Sequence, residues 1–113
     1  PDFYRSLDLY LCASASEGLP LVLLEAAASG CALVSTRVGI APELVEHGSN
    51  GFLVDPARED LAGALRHFRE HPESALPMGQ AARRAVLTRW TWRDIAPLYL
   101  PFFATGLPQE SHP

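Results

Sequence analysis

The apolar residues of this chain fall into short runs that suit strands and longer runs that have helical spacing. Residues 7–14, 31–36 and 51–55 are short, apolar and rich in strand-forming residues. These runs lack the apolar and polar alternation of a half-exposed strand, which indicates strands that are buried on both faces. Because helical segments alternate with them, the pattern predicts a parallel sheet covered by helices on both faces.

Proline, glycine and apolar spacing mark the predicted helices. Pro20 suits the first turn of a helix and Gly30 suits its end. The predicted helices span residues 20–29, 41–48, 56–72, about 74–90 and 91–103. The last of them contains two prolines, which strain it. The predicted fold class is therefore α/β: a partial Rossmann-like domain with three parallel strands, helices on both faces and a helical C-terminal end.

The charge of the chain narrows the class of partner. The 113 residues carry a formal net charge of −4, and the nine basic residues are all arginine. They form no cluster beyond Arg83 and Arg84, so little is available to neutralise a phosphate backbone. We therefore expect no nucleic acid partner.

The cysteines and the apolar runs indicate the compartment. Cys12 and Cys31 lie in apolar segments outside any zinc-binding spacing, which is typical of reduced core cysteines in a cytosolic protein. The longest apolar run, residues 19–34, is interrupted by Glu25 and by a glycine. It suits neither a transmembrane helix nor a signal peptide, so a cytoplasmic protein without a transmembrane segment is expected.

The predicted helix at 20–29 raises a question about its acidic residue. It is apolar almost all round, apart from a narrow facet that holds Glu25 and Ser29. Burial without a partner costs about 2–7 kcal/mol even for an uncharged polar group, so a buried Glu25 needs a partner. That partner is either internal, such as Arg37 or a backbone amide, or a bound ligand.

The start of the same helix suits an anion. The amides of Leu21 and Val22 belong to its first turn, where the helix dipole favours negative charge, whereas Pro20 has no amide proton. Glu25 lies about 7.5 Å along the axis from Pro20, roughly the reach from a diphosphate to the ribose of the same nucleotide. Glu17 lies on the other side of this anion site, where a sugar attached to the diphosphate would sit.

These residues carry a resemblance to a known family. The segment SASEGLPLVLLEAAASGCALVSTRVGIAPELVEHGSNGFLVDP, residues 14–56, resembles the E-x7-E region of retaining glycosyltransferases of the family-4 type, which have the GT-B fold of two Rossmann-like domains. Residues 88–99, TRWTWRDIAPLY, resemble the closing helix of that family. The matching features follow in the family's order: Glu17-x7-Glu25, the Gly-Leu-Pro between the acids, an Ala-rich helix that ends at glycine, a strand, Gly39, Glu43 and the sequence NGFLV.

The resemblance implies a domain and its partners. Residues 1–105 would be the C-terminal part of a nucleotide-sugar-binding domain, and residues 106–113 a tail. The expected partners are a nucleotide-sugar donor and an N-terminal acceptor domain absent from this chain, with no cofactor. The chain would be a piece of a longer hexosyltransferase, which would be cytoplasmic or membrane-peripheral, and inactive alone. It would leave its first strand as an open sheet edge, through which it could self-associate.

The resemblance also implies roles for individual residues. Glu17 would be the catalytic residue at the donor sugar, and Glu25 would bind the ribose. The remaining substrate-binding positions form the turn and the helix start: Gly18, Leu19, Pro20, Leu21 and Val22. Two departures bear on the diphosphate. Gly39 is followed by Ile40 where the family often has a second glycine, and the chain has no lysine to replace the family's upstream basic pair.

Other interpretations stay open at this point. The main alternative is a non-catalytic nucleotide-binding or assembly module that keeps the fold, while a nucleotide-sugar epimerase fits the acids less well. His67 and His71 have the i, i+4 spacing of a metal pair, but a solvated helix face explains them better. Glu43 would contact a ligand or favour the start of its helix. Trp90 and Trp92 are interpreted as helix-packing anchors.

Overall fold

Three short parallel strands form the centre of the fold. The computed structural model describes residues 2–14, 21–94, 96–97 and 100. The strands are β1 (Leu9–Cys12), β2 (Ala32–Thr36) and β3 (Gly51–Val54), paired in the order β1, β2, β3. The helices are α1 (Asp2–Arg5), α2 (Leu21–Ala28), α3 (Ala41–Leu44), α4 (Arg58–Glu70) and α5 (Ala75–Arg89), with a 3₁₀ turn at Pro72–Ser74.

Helices cover both faces of this sheet, as the sequence predicts. Leu33 of β2 packs in a cluster that includes residues of α2, α3 and α5, among them Leu23 and Val86. Its neighbour Val34 belongs to a second cluster, with Phe68 of α4. Successive strand residues point to opposite faces, so both sides of β2 are buried. This arrangement confirms the α/β class with parallel strands.

Each predicted element up to residue 90 is present, but each is shorter than expected. Helix α3 is one example, predicted over residues 41–48 and found at Ala41–Leu44. The Asn50 side chain donates to the Leu44 carbonyl at 2.9 Å and accepts from the Glu46 amide at 2.8 Å. These bonds give the backbone another set of partners directly after Leu44, which ends the helix early.

The start of the C-terminal helical segment is capped. Described residues 92–94, 96–97 and 100 are helical. The Asp94 carboxylate accepts from the Thr91 hydroxyl at 2.6 Å and from the Thr91 amide at 3.1 Å. These hydrogen bonds hold the pKa of Asp94 below its usual value, which is the pattern of a helix N-cap. The predicted tail at 106–113 lies outside the described residues.

Helix α5 packs closely on the end of α2. Gly30, with a φ of +87°, ends α2, and its carbonyl lies against Gly79 of α5. The Arg83 guanidinium donates to the Ala28 carbonyl at 2.5 Å, and Arg89 donates to the Glu43 carbonyl at 2.9 Å. Two arginines of α5 therefore contact carbonyls near the ends of α2 and α3, where a positive charge is favourable.

Both cysteines are buried free thiols, in agreement with their predicted core positions. The Cys31 thiol donates to the Tyr4 carbonyl at 3.2 Å. Burial, together with the charge of Asp8, raises the pKa of this thiol. A buried thiol with a raised pKa is a packing residue rather than a nucleophile.

Among the described helices, none combines the length and the apolar character needed to cross a bilayer.

Candidate functional site

The first turn of α2 lies at the carboxyl edge of the sheet. All three strands are parallel, so their carboxyl ends share one edge. Helix α2 follows β1 and returns to the start of β2, which places its own start at that edge. In open α/β sheets, ligands bind outside the carboxyl ends of the strands.

One face at the start of α2 is exposed. Leu21 is 56% exposed and Val22 is 40% exposed, although both are apolar. Glu25 lies one turn further on and is exposed as well, while Leu23 is fully buried in the core. The amide protons of Leu21 and Val22 belong to the first turn, whose donors have no acceptor within the helix. The structure therefore brings together on one accessible face three of the predicted site residues.

The remaining predicted site residues cannot be placed beside them. Glu17, Gly18, Leu19 and Pro20 lie outside the described residues. Their predicted roles at the donor sugar and at the turn stay predictions.

The surroundings of Glu25 differ from the sequence interpretation. Glu25 is exposed, so the premise that it is a buried carboxylate is wrong. Its neighbour is the Tyr4 phenol of α1, whose pKa is raised by burial and further by the charge and hydrogen bonding of Glu25. Arg37, considered as an internal partner for Glu25, instead donates to the Asp55 carboxylate at 3.3 Å. This ion pair links the residues that follow β2 and β3, and both side chains are mostly exposed.

A buried hydroxyl links the carboxyl ends of β1 and β2. Thr36 is 2% exposed, and its hydroxyl donates to the Ser14 carbonyl at 2.6 Å. The Cys12 carbonyl lies 3.5 Å from the same hydroxyl oxygen. No local sequence pattern indicates this contact, because the partners are separated by 22 positions.

The turn between β2 and α3 explains why this chain has one glycine, Gly39, where the related family often has two. Gly39 has a φ of +51°, a conformation that favours glycine. Ile40 has a φ of −83° and its side chain is buried in the core. A second glycine is therefore not required here, and the isoleucine contributes to packing.

The described residues also form clefts away from the start of α2. One, of about 380 Å³, lies between β3 and α4 and is lined by residues that include Arg37, His47 and His67. Another, of about 580 Å³, lies between α3 and α5 and includes Glu43. Glu43 is exposed in the first turn of α3, which agrees with the interpretation that it favours that helix.

Three histidines lie in the described part of the chain, and each contacts a neighbouring residue. His47 accepts from the Leu53 amide through Nδ1 at 3.1 Å, a role in holding β3 that the sequence did not indicate. The His67 ring lies 4.9 Å from the Phe52 ring and 5.2 Å from the His71 ring, between ring centroids. The described part of the chain contains no group of three side chains that could hold a metal ion.

The two tryptophans differ. Trp90 packs against the larger core cluster, which confirms its predicted role as an anchor. Trp92 is 80% exposed, so the same interpretation is wrong for it. Helical spacing alone does not separate them, because a new helix, capped at Thr91, begins between the two tryptophans.

Comparison with known proteins agrees with the fold. Residues 1–85 match the family model described as glycosyl transferases group 1. A GDP-mannose-dependent alpha-(1-6)-phosphatidylinositol monomannoside mannosyltransferase of Mycobacterium tuberculosis is 37% identical over 81 residues, which are 71% of this chain and 21% of that protein. The chain thus spans about a fifth of the length of the curated relatives it matches.

Solved structures give the same architecture. The C-terminal domain of a glycosyl transferase group 1 family protein from Francisella tularensis is 35% identical, with a TM-score of 0.74, and the match covers 80% of this chain and 47% of that one. Anabaena HepE in complex with UDP-glucose is 28% identical, with a TM-score of 0.81, and the match covers 94% of this chain and 30% of that one.

Proposed function

Because the chain belongs to the glycosyl transferases group 1 family, as part of the C-terminal domain of a GT-B enzyme, we propose that it forms the donor side of a hexosyltransferase site. The donor is a nucleotide-sugar, and the reaction moves its sugar to an acceptor with retention of configuration. In this proposal the chain acts as part of a longer protein that also contributes the acceptor domain.

The observation that carries the proposal is the exposed face at the start of α2. Leu21 and Val22 are exposed although apolar, and they stand beside the exposed acid Glu25. An exposed apolar face costs free energy unless something covers it in the working protein. A bound nucleotide would cover part of this face and accept hydrogen bonds from the two first-turn amides.

In this proposal, Glu25 and Glu17 contact different parts of the donor. Glu25, fixed on a helix, accepts from the ribose hydroxyls, which every ribonucleotide donor carries. Glu17 contacts the transferred sugar, so it acts in catalysis rather than in nucleotide binding. Support for a shared nucleotide chemistry comes from the relatives, since one is named for GDP-mannose and another is solved with UDP-glucose. Both donors contain a ribose and a diphosphate.

The charge of the diphosphate is only partly balanced by this chain. The first-turn amides and the dipole of α2 supply partial positive charge. Arg37 at the same edge is paired with Asp55, and the chain contains no lysine. We therefore propose that cationic residues of the longer protein complete the diphosphate site. The chain alone should bind a nucleoside diphosphate in the millimolar range, about 4 kcal/mol, and should transfer no sugar.

A titration of the 113-residue chain with UDP and with GDP tests the site. The expected result is a set of NMR amide shift changes centred on residues 17–25. Shift changes centred on the cleft beside His67 would contradict the proposed position. Sugar transfer or release by the chain alone, followed by product analysis with UDP-glucose and GDP-mannose, would contradict the need for a longer protein.

The division between the two acids is tested by substitution. Glu25→Gln should weaken binding of the free nucleotide several-fold, because it weakens bonds to the ribose. Glu17→Gln should leave nucleotide affinity unchanged and lower turnover in an active longer protein, because its contact is to the sugar. Calorimetry in which Glu17→Gln harms free-nucleotide binding more than Glu25→Gln does would reverse the assignment. Glu70→Gln is a matched control, as an exposed acid at the far end of α4.

A further inference from the structure

The carboxyl ends of β1 and β2 are joined by a side chain where the main-chain pairing stops. The last register pair between the two strands is Cys12 with Ser35. One residue further along β2, the Thr36 hydroxyl donates to the Ser14 carbonyl at 2.6 Å, with the Cys12 carbonyl at 3.5 Å. The hydroxyl thus extends the contact between the strands beyond their backbone ladder.

The position of this bond connects it with the candidate site. Ser14 is where the chain leaves the end of β1, and α2 begins at Leu21 after six intervening residues. Cys12, at the end of β1, packs in the same core cluster as Leu23 in the first turn of α2. A carbonyl fixed at Ser14 therefore restricts where the first turn of α2 can sit. The buried position of Thr36, 2% exposed, keeps water from competing for the bond.

We propose that Thr36 is a positioning residue for the donor site, holding the end of β1 through the Ser14 carbonyl so that the first-turn amides of α2 face the diphosphate. The inference rests on the proposed function. Thr36 itself touches no substrate. Its effect on binding is transmitted through the backbone at Ser14.

The neighbouring residue provides a matched control. Ser35 is fully buried, lies on the same strand and donates through its hydroxyl to the Thr36 carbonyl at 2.8 Å. Its bond therefore stays within β2 and does not reach β1. Loss of the Ser35 hydroxyl removes a buried hydrogen bond of the same kind without releasing Ser14.

The test compares Thr36→Val, Thr36→Ser and Ser35→Ala with the unmodified chain, using UDP as the probe. Valine keeps the shape of threonine and lacks the hydroxyl, whereas serine keeps the hydroxyl. At one fixed UDP concentration, Thr36→Val should reduce the UDP-induced amide shifts of Leu21 and Val22 at least threefold. Thr36→Ser and Ser35→Ala should stay within about 1.5-fold of the unmodified chain. Urea unfolding of all four proteins shows that each is folded at the titration temperature.

Each outcome has a defined meaning. Shifts in Thr36→Val equal to those of the unmodified chain would overturn the positioning role. An equal loss in Ser35→Ala would also overturn it, because the effect would then follow from any weakening of β2. An unmodified chain whose Leu21 and Val22 amides do not respond to UDP or GDP would overturn the proposed function itself, and this failure is visible before any variant is made.

Discussion

The two edges of the sheet differ in how their groups are used. At the amino edge, where α2 ends and β2 begins, close packing and side-chain hydrogen bonds hold the backbone. At the carboxyl edge, where α2 begins, apolar and acidic side chains are exposed. The amino edge has Gly79 against the Gly30 carbonyl and the guanidinium of Arg83 on the Ala28 carbonyl. The carboxyl edge has Leu21 and Val22 exposed.

This difference implies that contacts at one edge of the sheet stabilise the fold, whereas exposed groups at the other edge are available to a ligand. Polar groups at the amino edge have partners within the described residues, so they leave little for a ligand to satisfy. The first-turn amides of α2 have no acceptor in their own helix, so a ligand can satisfy them. Substitutions at the amino edge should therefore change the free energy of unfolding, and those on the exposed face at the start of α2 should change nucleotide binding.

The largest effect is expected from Gly79→Ala at the amino edge. A Cβ at this position would lie 1.9 Å from the Gly30 carbonyl oxygen, so α5 has to move away from the end of α2. Overpacking of this kind should lower the free energy of unfolding by about 3 kcal/mol. Urea denaturation followed by circular dichroism measures the change.

Gly63→Ala in α4 is the control for that substitution. Gly63 is also helical, but an added Cβ meets nothing within 4 Å. Alanine should therefore raise the free energy of unfolding by roughly 0.5–1 kcal/mol through its better helix propensity. Equal stability of the two variants would show that the contact between α5 and Gly30 does not constrain the fold.

A smaller effect is expected from Asn50→Ala, at the start of β3. Asn50 is 2% exposed, and its side chain makes two hydrogen bonds to the backbone at Leu44 and Glu46. Their loss leaves a carbonyl and an amide without partners and should lower the free energy of unfolding by about 2 kcal/mol. Ser49→Ala, at an exposed neighbour, should stay within about 0.5 kcal/mol of the unmodified chain. If a folded Asn50→Ala variant showed no UDP-induced shift at the Leu21 amide, the two edges would not act independently.

Much of the fold follows from local signals in the sequence. Strand and helix positions up to residue 90 are readable because unbroken apolar runs mark β1 to β3, and Gly30 marks the end of α2. The early end of α3 is not readable in the same way. It depends on the side chain of Asn50, which reaches back to a carbonyl six positions earlier.

The candidate site is readable only in part. The start of α2 and the acid one turn later are recognised from the spacing of Leu21, Val22 and Glu25 along one helix. The contacts around them join distant parts of the chain, as in the bond from Thr36 to Ser14 across 22 positions. The contact between Glu25 and Tyr4 joins two helices, so helical periodicity in α2 could not reveal it.

The smallest effect concerns the charge of Glu25 at the carboxyl edge. The pKa of Tyr4 is raised above its ordinary value of 10.0, by burial first and then by Glu25, so the phenol stays protonated to higher pH in the folded chain. Because the folded pKa is above the unfolded one, the stability gained is fully present below about pH 10 and is lost as the pH rises through the folded pKa. Glu25→Gln should lower the pKa of Tyr4, although the rise in this pKa that is due to burial should remain. NMR titration of the Tyr4 ring measures the change in pKa. Glu59→Gln should leave it unchanged, since α4 packs on the opposite face of the sheet. If the pKa of Tyr4 did not respond to Glu25→Gln, the contact between Glu25 and Tyr4 of α1 would be contradicted.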